Sequence, residues 1–336
     1  MSNSVNLALI GASGVVGRKI LKVLEKKKIS IDNFYPIGNS SVGSEVFLNN
    51  EKYIISDLDS FDRSKINIAI FSAGSKVARK YAQSFVDENI YVIDMSSEFR
   101  YEEDIPLVIP EINDESIENL KNPSLISNPN CSVSQLLLAI YPIHSQLKIN
   151  FINVATYQAV SGTGKDAISE LENQLSGLED INVYPKRIAG NVIPHCDDFL
   201  ENDFTKEEMK IAWETQKILD PKIPVQSTCV RVPVMNGHSE AVFCRTEKET
   251  SKEEIHSILE NIKGVKLFDN PQKNEYPTPF DHANNTEEVF VGRIRVQRIN
   301  SENWISMWIV ADNVYGKGAA LNCVQILESL IIKNKL

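Results

Sequence analysis

Val5-Asn6-Leu7-Ala8-Leu9-Ile10-Gly11-Ala12-Ser13-Gly14-Val15-Val16-Gly17 is the stretch that decides the first half of the chain. The apolar run Val5–Ile10 reads as a buried strand, and the glycines after it as a tight turn. An amphipathic helix follows to about Lys27, with Lys26, Lys27 and Lys28 at its negative end, where the helix dipole favours cations. Strand, glycine turn and helix in this order form the setting in which a dinucleotide pyrophosphate meets a helix N-terminus. The spacing is G-x-x-G-x-x-G and not G-x-G-x-x-G, so the context supports the reading more than the motif does.

Further βα units extend this pattern. The second strand ends in Ile37-Gly38-Asn39-Ser40-Ser41, without the acid that usually holds an NAD ribose; this favours NADP, with Ser40 and Ser41 as donors to a 2′-phosphate. Ile66–Phe71 reads as a strand, followed by Ser72-Ala73-Gly74-Ser75 and a helix over Val77–Asn89. Small residues there leave room for a cofactor at the carboxyl edge of a parallel sheet. The strand Ile90–Asp94 leads through Met95-Ser96-Ser97-Glu98-Phe99 to Arg100, whose position alone favours a solvated surface residue, with an oxyanion clamp as the other reading.

Ser127-Asn128-Pro129-Asn130-Cys131-Ser132 is a stiff turn leading into the apolar helix Gln135–Tyr141. Cys131 therefore stands near a helix N-terminus, which suits a thiolate nucleophile; a buried, inert cysteine is the other reading. After this turn strands dominate. Asn150–Val160 is a long strand that ends near Gln158 and runs into Ser161-Gly162-Thr163-Gly164 and the helix Lys165–Leu175. Thr205 and Glu208 fit a capping box, and Glu207 and Lys210 share a face of that helix as a surface ion pair or as site residues. Pro224–Val234 alternates, with Cys229 and Arg231 on its less apolar face, toward a solvent-filled cleft or open surface. His238, beside the turn Asn236-Gly237, is a candidate acid/base because an unperturbed imidazole titrates near neutrality. The strands Glu288–Arg298 and Trp304–Asp312 complete a mainly antiparallel sheet, and the helix Ala319–Ile332 is expected to return to the first domain.

Composition narrows the function classes. The 336 residues suggest two domains, and 42% hydrophobic with 24% charged residues is ordinary for a globular protein. A net charge of −10 argues against nucleic acid, which needs a basic face, and no apolar run is long enough to span a bilayer. Cys131, Cys196, Cys229, Cys244 and Cys323 are scattered and odd in number, suggesting neither disulfides nor a zinc site; a cytoplasmic location is expected. His144, His195, His256 and His282 show no ligand spacing, so no metal is implied.

Taken together, Gly11–Gly17, Ser127–Cys131, Tyr157–Gly164, Thr205–Lys210, Thr228–Val234, Gly237–Glu240 and Lys317–Gln325 resemble the aspartate-semialdehyde dehydrogenase family over almost the whole chain. The resemblance implies an α/β fold of the glyceraldehyde-phosphate-dehydrogenase kind. A Rossmann-like dinucleotide-binding domain, 1–131, would be completed by 315–336, and an α+β catalytic and dimerisation domain would span 132–314. It implies an NADP-dependent reaction between 4-phospho-L-aspartate and L-aspartate 4-semialdehyde with release of phosphate, on the route to lysine, threonine and methionine. A homodimer, or a dimer of dimers, is implied as well. By position, Cys131 would be the nucleophile, His238 the acid/base, and Gln158 the group that orients the acyl intermediate. Arg231 would bind the substrate carboxylate, Glu207 its amino group, and Arg100 and Lys210 its phosphate, with Asn130 beside the substrate. Gly11, Ser13, Gly14, Val15, Val16, Ser40, Ser41, Ser72, Ala73, Gly74, Ser161, Gly162 and Asn313 would line the NADP site. Ser40 stands where the family often has Arg, and Met95 where Asn is common. N-acetyl-glutamyl-phosphate reductase is the nearest alternative, but Asn130-Cys131-Ser132 differs from its Gly-Cys-Tyr-Pro turn.

Overall fold

The computed structural model describes residues 4–336. They form two compact units, one running to Pro129 and including Ala319–Leu336, the other spanning Asn130–Gly318.

The first unit begins with β1 (Asn6–Ile10), α1 (Val15–Lys27) and β2 (Asn33–Gly38), then a hairpin of β3 (Glu45–Leu48) and β4 (Glu51–Ile54). It continues through β5 (Ser56–Asp57), β6 (Ile68–Phe71), α2 (Ser75–Asp87), β7 (Tyr91–Asp94), the short helices α3 (Pro110–Asn113) and α4 (Glu115–Glu118), and β8 (Leu125–Ser127). Six strands pair in parallel in the order β5-β2-β1-β6-β7-β8. Numbered along the sheet, this is the 3-2-1-4-5-6 order of dinucleotide-binding folds. Successive residues Leu7, Ala8, Leu9 and Ile10 are all buried, as a parallel sheet covered on both faces requires. Helix α2 packs Ala78, Tyr81, Ala82 and Phe85 into the cluster that holds Ala8, Ile10, Ala69 and Phe71. The last helix of the chain, Ala320–Ile332, packs beside α1. Its buried Asn322 donates to the Val108 carbonyl (2.9 Å) and to Asn128 Oδ1 (2.7 Å), fixing the chain just past β8.

The second unit comprises α5 (Cys131–Leu147), β9 (Ile149–Gln158), α6 (Lys165–Leu175), α7 (Lys206–Ile218), β10 (Val225–Arg231) and β11 (His238–Thr246). Then come α8 (Lys252–Glu260), β12 (Val265–Leu267), α9 (Pro279–His282), β13 (Val289–Ile299) and β14 (Glu302–Ala311). The sheet order is β10-β9-β11-β14-β13-β12. Its three inner pairings are antiparallel and its two outer ones parallel, so the sheet is mixed. On β9 and β11, Val154, Thr156, Gln158, His238, Glu240 and Val242 are buried, whereas Ala155, Tyr157, Ala241 and Phe243 are more open. Helix α5 packs against this sheet.

Several boundaries move from the sequence expectation. Helix α5 starts at Cys131 and not at Gln135, because Asn130 Oδ1 accepts from the Ser132 (2.9 Å) and Val133 (3.4 Å) amides and caps it. Strand β10 stops at Arg231, short of Val234, where its backbone bridges to Ile193. The Cys229 and Arg231 face of β10 is its buried one, contrary to the reading that placed it toward solvent.

Gly11 shows what the first turn needs. Its φ is +86°, and a Cβ there would lie 2.5 Å from the Ser72 carbonyl oxygen. Gly11→Ala should therefore destabilise the protein by about 2 kcal/mol or more. Denaturant unfolding would measure this; a midpoint equal to that of the parent chain would contradict it.

Candidate active site

In the first unit, a cavity of about 260 Å³ opens at the carboxyl ends of the parallel strands. Gly11, Ser13 and Gly14 line it from the first turn, Asn39, Ser40 and Ser41 from the end of β2, and Ser72 and Ala73 from the end of β6. Val15 and Val16 open α1, whose N-terminal amides point toward bound phosphate in such folds. Among the described residues no acidic or basic side chain lines the cavity, and Ser40 and Ser41 offer hydroxyl donors beyond β2. Gly74 is absent from the lining and serves as the N-cap of α2 at φ +82°. Arg100, also in this unit, is buried, and its Nη2 donates to the Met95 carbonyl (3.1 Å).

In the second unit, Cys131 occupies the first position of a helix of 17 residues and is partly accessible. The positive end of the helix dipole at such a helix start favours negative charge on the sulfur. The residues on either side of it are clamped. The Asn130 amide donates to Glu214 Oε2 (2.6 Å), and Asn130 Nδ2 to Glu207 Oε1 (2.9 Å). Gln158 Nε2 reaches both Ser132 Oγ (3.0 Å) and Glu207 Oε1 (3.1 Å). Glu207 and Glu214 are seven residues apart on α7, two turns along one face, so a single helix grips the cysteine turn twice.

Glu207 is ionised although buried. Burial alone would raise its pKa; the Lys210 charge, with hydrogen bonds from Asn130, Gln158 and Lys210, outweighs that and holds it at about 2. Lys210 Nζ donates to Glu207 Oε2 (3.1 Å) and to Asp197 Oδ2 (2.5 Å). The Glu207–Lys210 pair is thus a buried element of the site and not a surface ion pair. Glu208 is structural: it closes the capping box with Thr205 and accepts from the Cys229 amide (3.0 Å).

Arg231 sits opposite Gln158 across β10 and β9, and His238 begins the next strand on the same buried face. Arg231 Nη1 donates to the Ala159 carbonyl (2.7 Å), while the Ala159 amide donates to His238 Nδ1 (3.0 Å). One peptide segment therefore orients both side chains. A Cβ built on Gly162 would lie 3.1 Å from Arg231 Nη1 and 3.1 Å from His238 Nε2, so the missing side chain leaves open the space where they converge. Arg231 Nε, His238 Nε2 and Asn313 Nδ2 are buried without a hydrogen-bond partner among the described residues. Buried donors of this kind suit an anionic or carbonyl-bearing ligand. Asn313 Oδ1 meanwhile accepts from the Gly237 amide (2.9 Å) and lies 3.1 Å from Ser161 Oγ.

His238 departs from the expected near-neutral base. Burial first, and the Arg231 charge second, push its pKa down to about 3. The ring is neutral, and because Nδ1 accepts the Ala159 amide, its proton is on Nε2. His238 thus presents a donor to the space beside Gly162. Glu240, next inward on the same strand face, is also held neutral, its pKa raised well above the usual range by burial.

The structure ties Asn130, Gln158, Glu207 and Lys210 into one hydrogen-bond network around the start of α5, where Cys131 stands, and ties Arg231 and His238 to Ala159, the residue after Gln158. Sequence reasoning missed Asp197, Glu214 and Ser132. The spacing of Glu214 from Glu207 was a usable signal; nothing in the sequence around Asp197 pointed to it.

The His238 shift fixes a pH dependence. Its folded pKa lies below the ordinary imidazole value of 6.5, so between pH 6.5 and about 3 the unfolded chain binds the extra proton and stability falls as pH falls. His238→Asn, which keeps an acceptor for the Ala159 amide, should flatten that part of the stability–pH curve. Chemical denaturation from pH 7 to pH 4 tests this, and an unchanged slope would contradict it.

Two family models match the chain: "Semialdehyde dehydrogenase, NAD binding domain" over residues 6–120, and "Semialdehyde dehydrogenase, dimerisation domain" over residues 140–315. The chain is 45% identical to the aspartate-semialdehyde dehydrogenase of Shewanella violacea, covering 98% of this chain and 99% of that one. It is also 45% identical to that of Legionella pneumophila, covering 98% and 96%. The crystal structure of aspartate semialdehyde dehydrogenase II from Vibrio cholerae, complexed with ASA, superposes with a TM-score of 0.94 at 42% identity over 98% of this chain and 99% of that one. By sequence and by fold alike, the chain belongs to the aspartate-semialdehyde dehydrogenase family.

Proposed function

We propose that the protein interconverts 4-phospho-L-aspartate and L-aspartate 4-semialdehyde with NADP(H) and phosphate, as a step in amino-acid biosynthesis. The observation that supports this most is that the neighbours of a helix-start cysteine, Asn130 and Ser132, are hydrogen-bonded to Glu207 and Gln158, while Ala159, next in the chain after Gln158, holds both Arg231 and His238. The substrate bears a carboxylate, an ammonium and a phosphate. The planar Arg231 guanidinium suits the carboxylate. Glu207, ionised down to about pH 2, suits the ammonium; its Oε2 accepts from Lys210, one donor against the two, Asn130 and Gln158, that Oε1 accepts from, and keeps acceptor capacity for the ligand. Lys210 suits the phosphate, and Arg100 is assigned to it on resemblance alone.

In the reductive direction, Cys131 reacts as a thiolate, favoured by its place at the start of α5, and its sulfur attacks the acyl carbon. The C–S bond forms while the bond from that carbon to the phosphate oxygen breaks, and phosphate leaves with that electron pair. The nicotinamide, when bound, supplies hydride to the thioester. His238 Nε2–H donates to the negative charge that gathers on the carbonyl oxygen, then on the sulfur as the C–S bond breaks and the aldehyde forms. Gln158, tied to Ser132 and Glu207, holds the acyl group in place. In this scheme His238 stabilises charge and does not first deprotonate the thiol.

The cavity of the first unit suits an adenosine ribose with a 2′-phosphate, since no carboxylate opposes the phosphate and Ser40 and Ser41 offer donors. Ser161, Gly162 and Asn313 are assigned to the nicotinamide side, where the buried Asn313 Nδ2 suits a carboxamide oxygen. A homodimer is supported by the open face of the second sheet. Tyr157 packs on Trp308 (5.3 Å between centroids), Phe151 on Trp304 (6.0 Å), and Phe243 is 40% exposed. The five free cysteines suit a reducing compartment such as the cytoplasm. Among the described residues no helix is long and apolar enough to cross a membrane.

The direct test is oxidation of L-aspartate 4-semialdehyde with phosphate, comparing NADP with NAD. Faster turnover with NADP is expected, and faster turnover of the N-acetylated glutamate semialdehyde would overturn the reading. Cys131→Ala should lower kcat by about a thousandfold or more while NADP affinity stays within a few-fold. Gly162→Ala should cut kcat/KM by about tenfold or more, because its methyl group enters the space shared by Arg231 and His238; an unaffected variant would remove that space from the site.

A further inference from the structure

Lys210 is surrounded by more negative charge than it can neutralise. Its ammonium contacts Asp197 Oδ2 at 2.5 Å and Glu207 Oε2 at 3.1 Å. Burial favours the neutral form of either acid, yet the Lys210 charge and the hydrogen bonds to each carboxylate hold both below their usual pKa values. One cation and two carboxylates give the cluster a net charge of −1. A phosphate arriving at that cluster would meet repulsion unless one carboxylate withdraws.

The two carboxylates differ in how firmly they are held. Glu207 lies within a helix and accepts from Asn130, Gln158 and Lys210. Asp197 lies in the connection between α6 and α7 at φ +67°, its side chain 31% exposed. Besides Lys210, its carboxylate accepts from the Asp198 amide next in the chain (2.9 Å). Asp197 is the partner that can swing away.

We propose that Asp197 is a displaceable counter-ion that occupies the Lys210 ammonium until a phosphate oxyanion takes its place. The exchange swaps one oxyanion for another, so Lys210 remains charged, paired and correctly aimed in both states. Competition from Asp197 weakens phosphate binding, which speeds phosphate departure when the acyl phosphate is consumed. This rests on the proposed reaction, in which Lys210 receives the phosphate.

The test uses Asp197→Asn and Asp197→Gly in the full chain, two replacements that tolerate a positive φ. Semialdehyde oxidation is measured at saturating NADP with varied inorganic phosphate, and phosphate binding to each protein is measured by calorimetry. The account expects the KM and Kd for phosphate to fall about tenfold in both variants, as expected when a competing charge is removed, while the KM for the semialdehyde changes less than about twofold. Unchanged or weaker phosphate binding in folded variants of an active parent would overturn the role of Asp197 alone. A parent chain with no phosphate-dependent turnover would overturn both this and the proposed reaction.

Discussion

A buried, ionised carboxylate cannot persist without fixed donors, and that constraint on Glu207 orders the second unit. Its donors come from three places: Asn130 before the cysteine, Gln158 at the end of β9, and Lys210 one turn along α7. Leaving any one of them out would strand charge in a low-dielectric interior, at a cost of several kcal/mol. Each donor is therefore held in place by the need to satisfy Glu207. Because Asn130 is also the cap of α5, the same network sets where that helix begins and where its first residue, Cys131, stands.

A second constraint acts through the Ala159 peptide. Its carbonyl accepts from Arg231 and its amide donates to His238, so a permanent cation and a neutral imidazole share one support. Keeping His238 neutral removes the repulsion that two adjacent cations would feel, and leaves Nε2 as a donor. Arg231 is then a permanent cation and His238 an uncharged donor, which in the proposed reaction receive the substrate carboxylate and a transient negative charge respectively. This division of roles suits a reaction whose substrate charge is fixed while its reacting-centre charge comes and goes.

Much of this was legible in the sequence. The strand, glycine turn and helix from Val5 to Lys27 have a local pattern that only a few folds accommodate, and the parallel sheet follows from it. The capping box at Thr205 and Glu208 was legible because it depends on a four-residue spacing. The face of Arg231 was not, because alternation shows only that two faces exist. An arginine suggests solvent unless the carbonyl and ligand that receive it are known. Asp197 was hidden for a similar reason: a loop carboxylate gains meaning only when folding brings Lys210, 13 residues later, against it. The titration of His238 is pushed down by burial and by the Arg231 charge, and its tautomer is set by an amide 79 residues away, none of which residue type alone reveals.

Every other role proposed for the site depends on covalent chemistry at Cys131, which can be trapped. The parent chain is mixed with L-aspartate 4-semialdehyde and NADP in the absence of phosphate, quenched with acid, digested and analysed by mass spectrometry. The account predicts an aspartyl thioester on the peptide that contains Cys131, formed with one equivalent of NADPH and lost when phosphate is added before the quench. An adduct on Cys196, Cys229, Cys244 or Cys323, or phosphate-dependent turnover with no adduct at any cysteine, would contradict it.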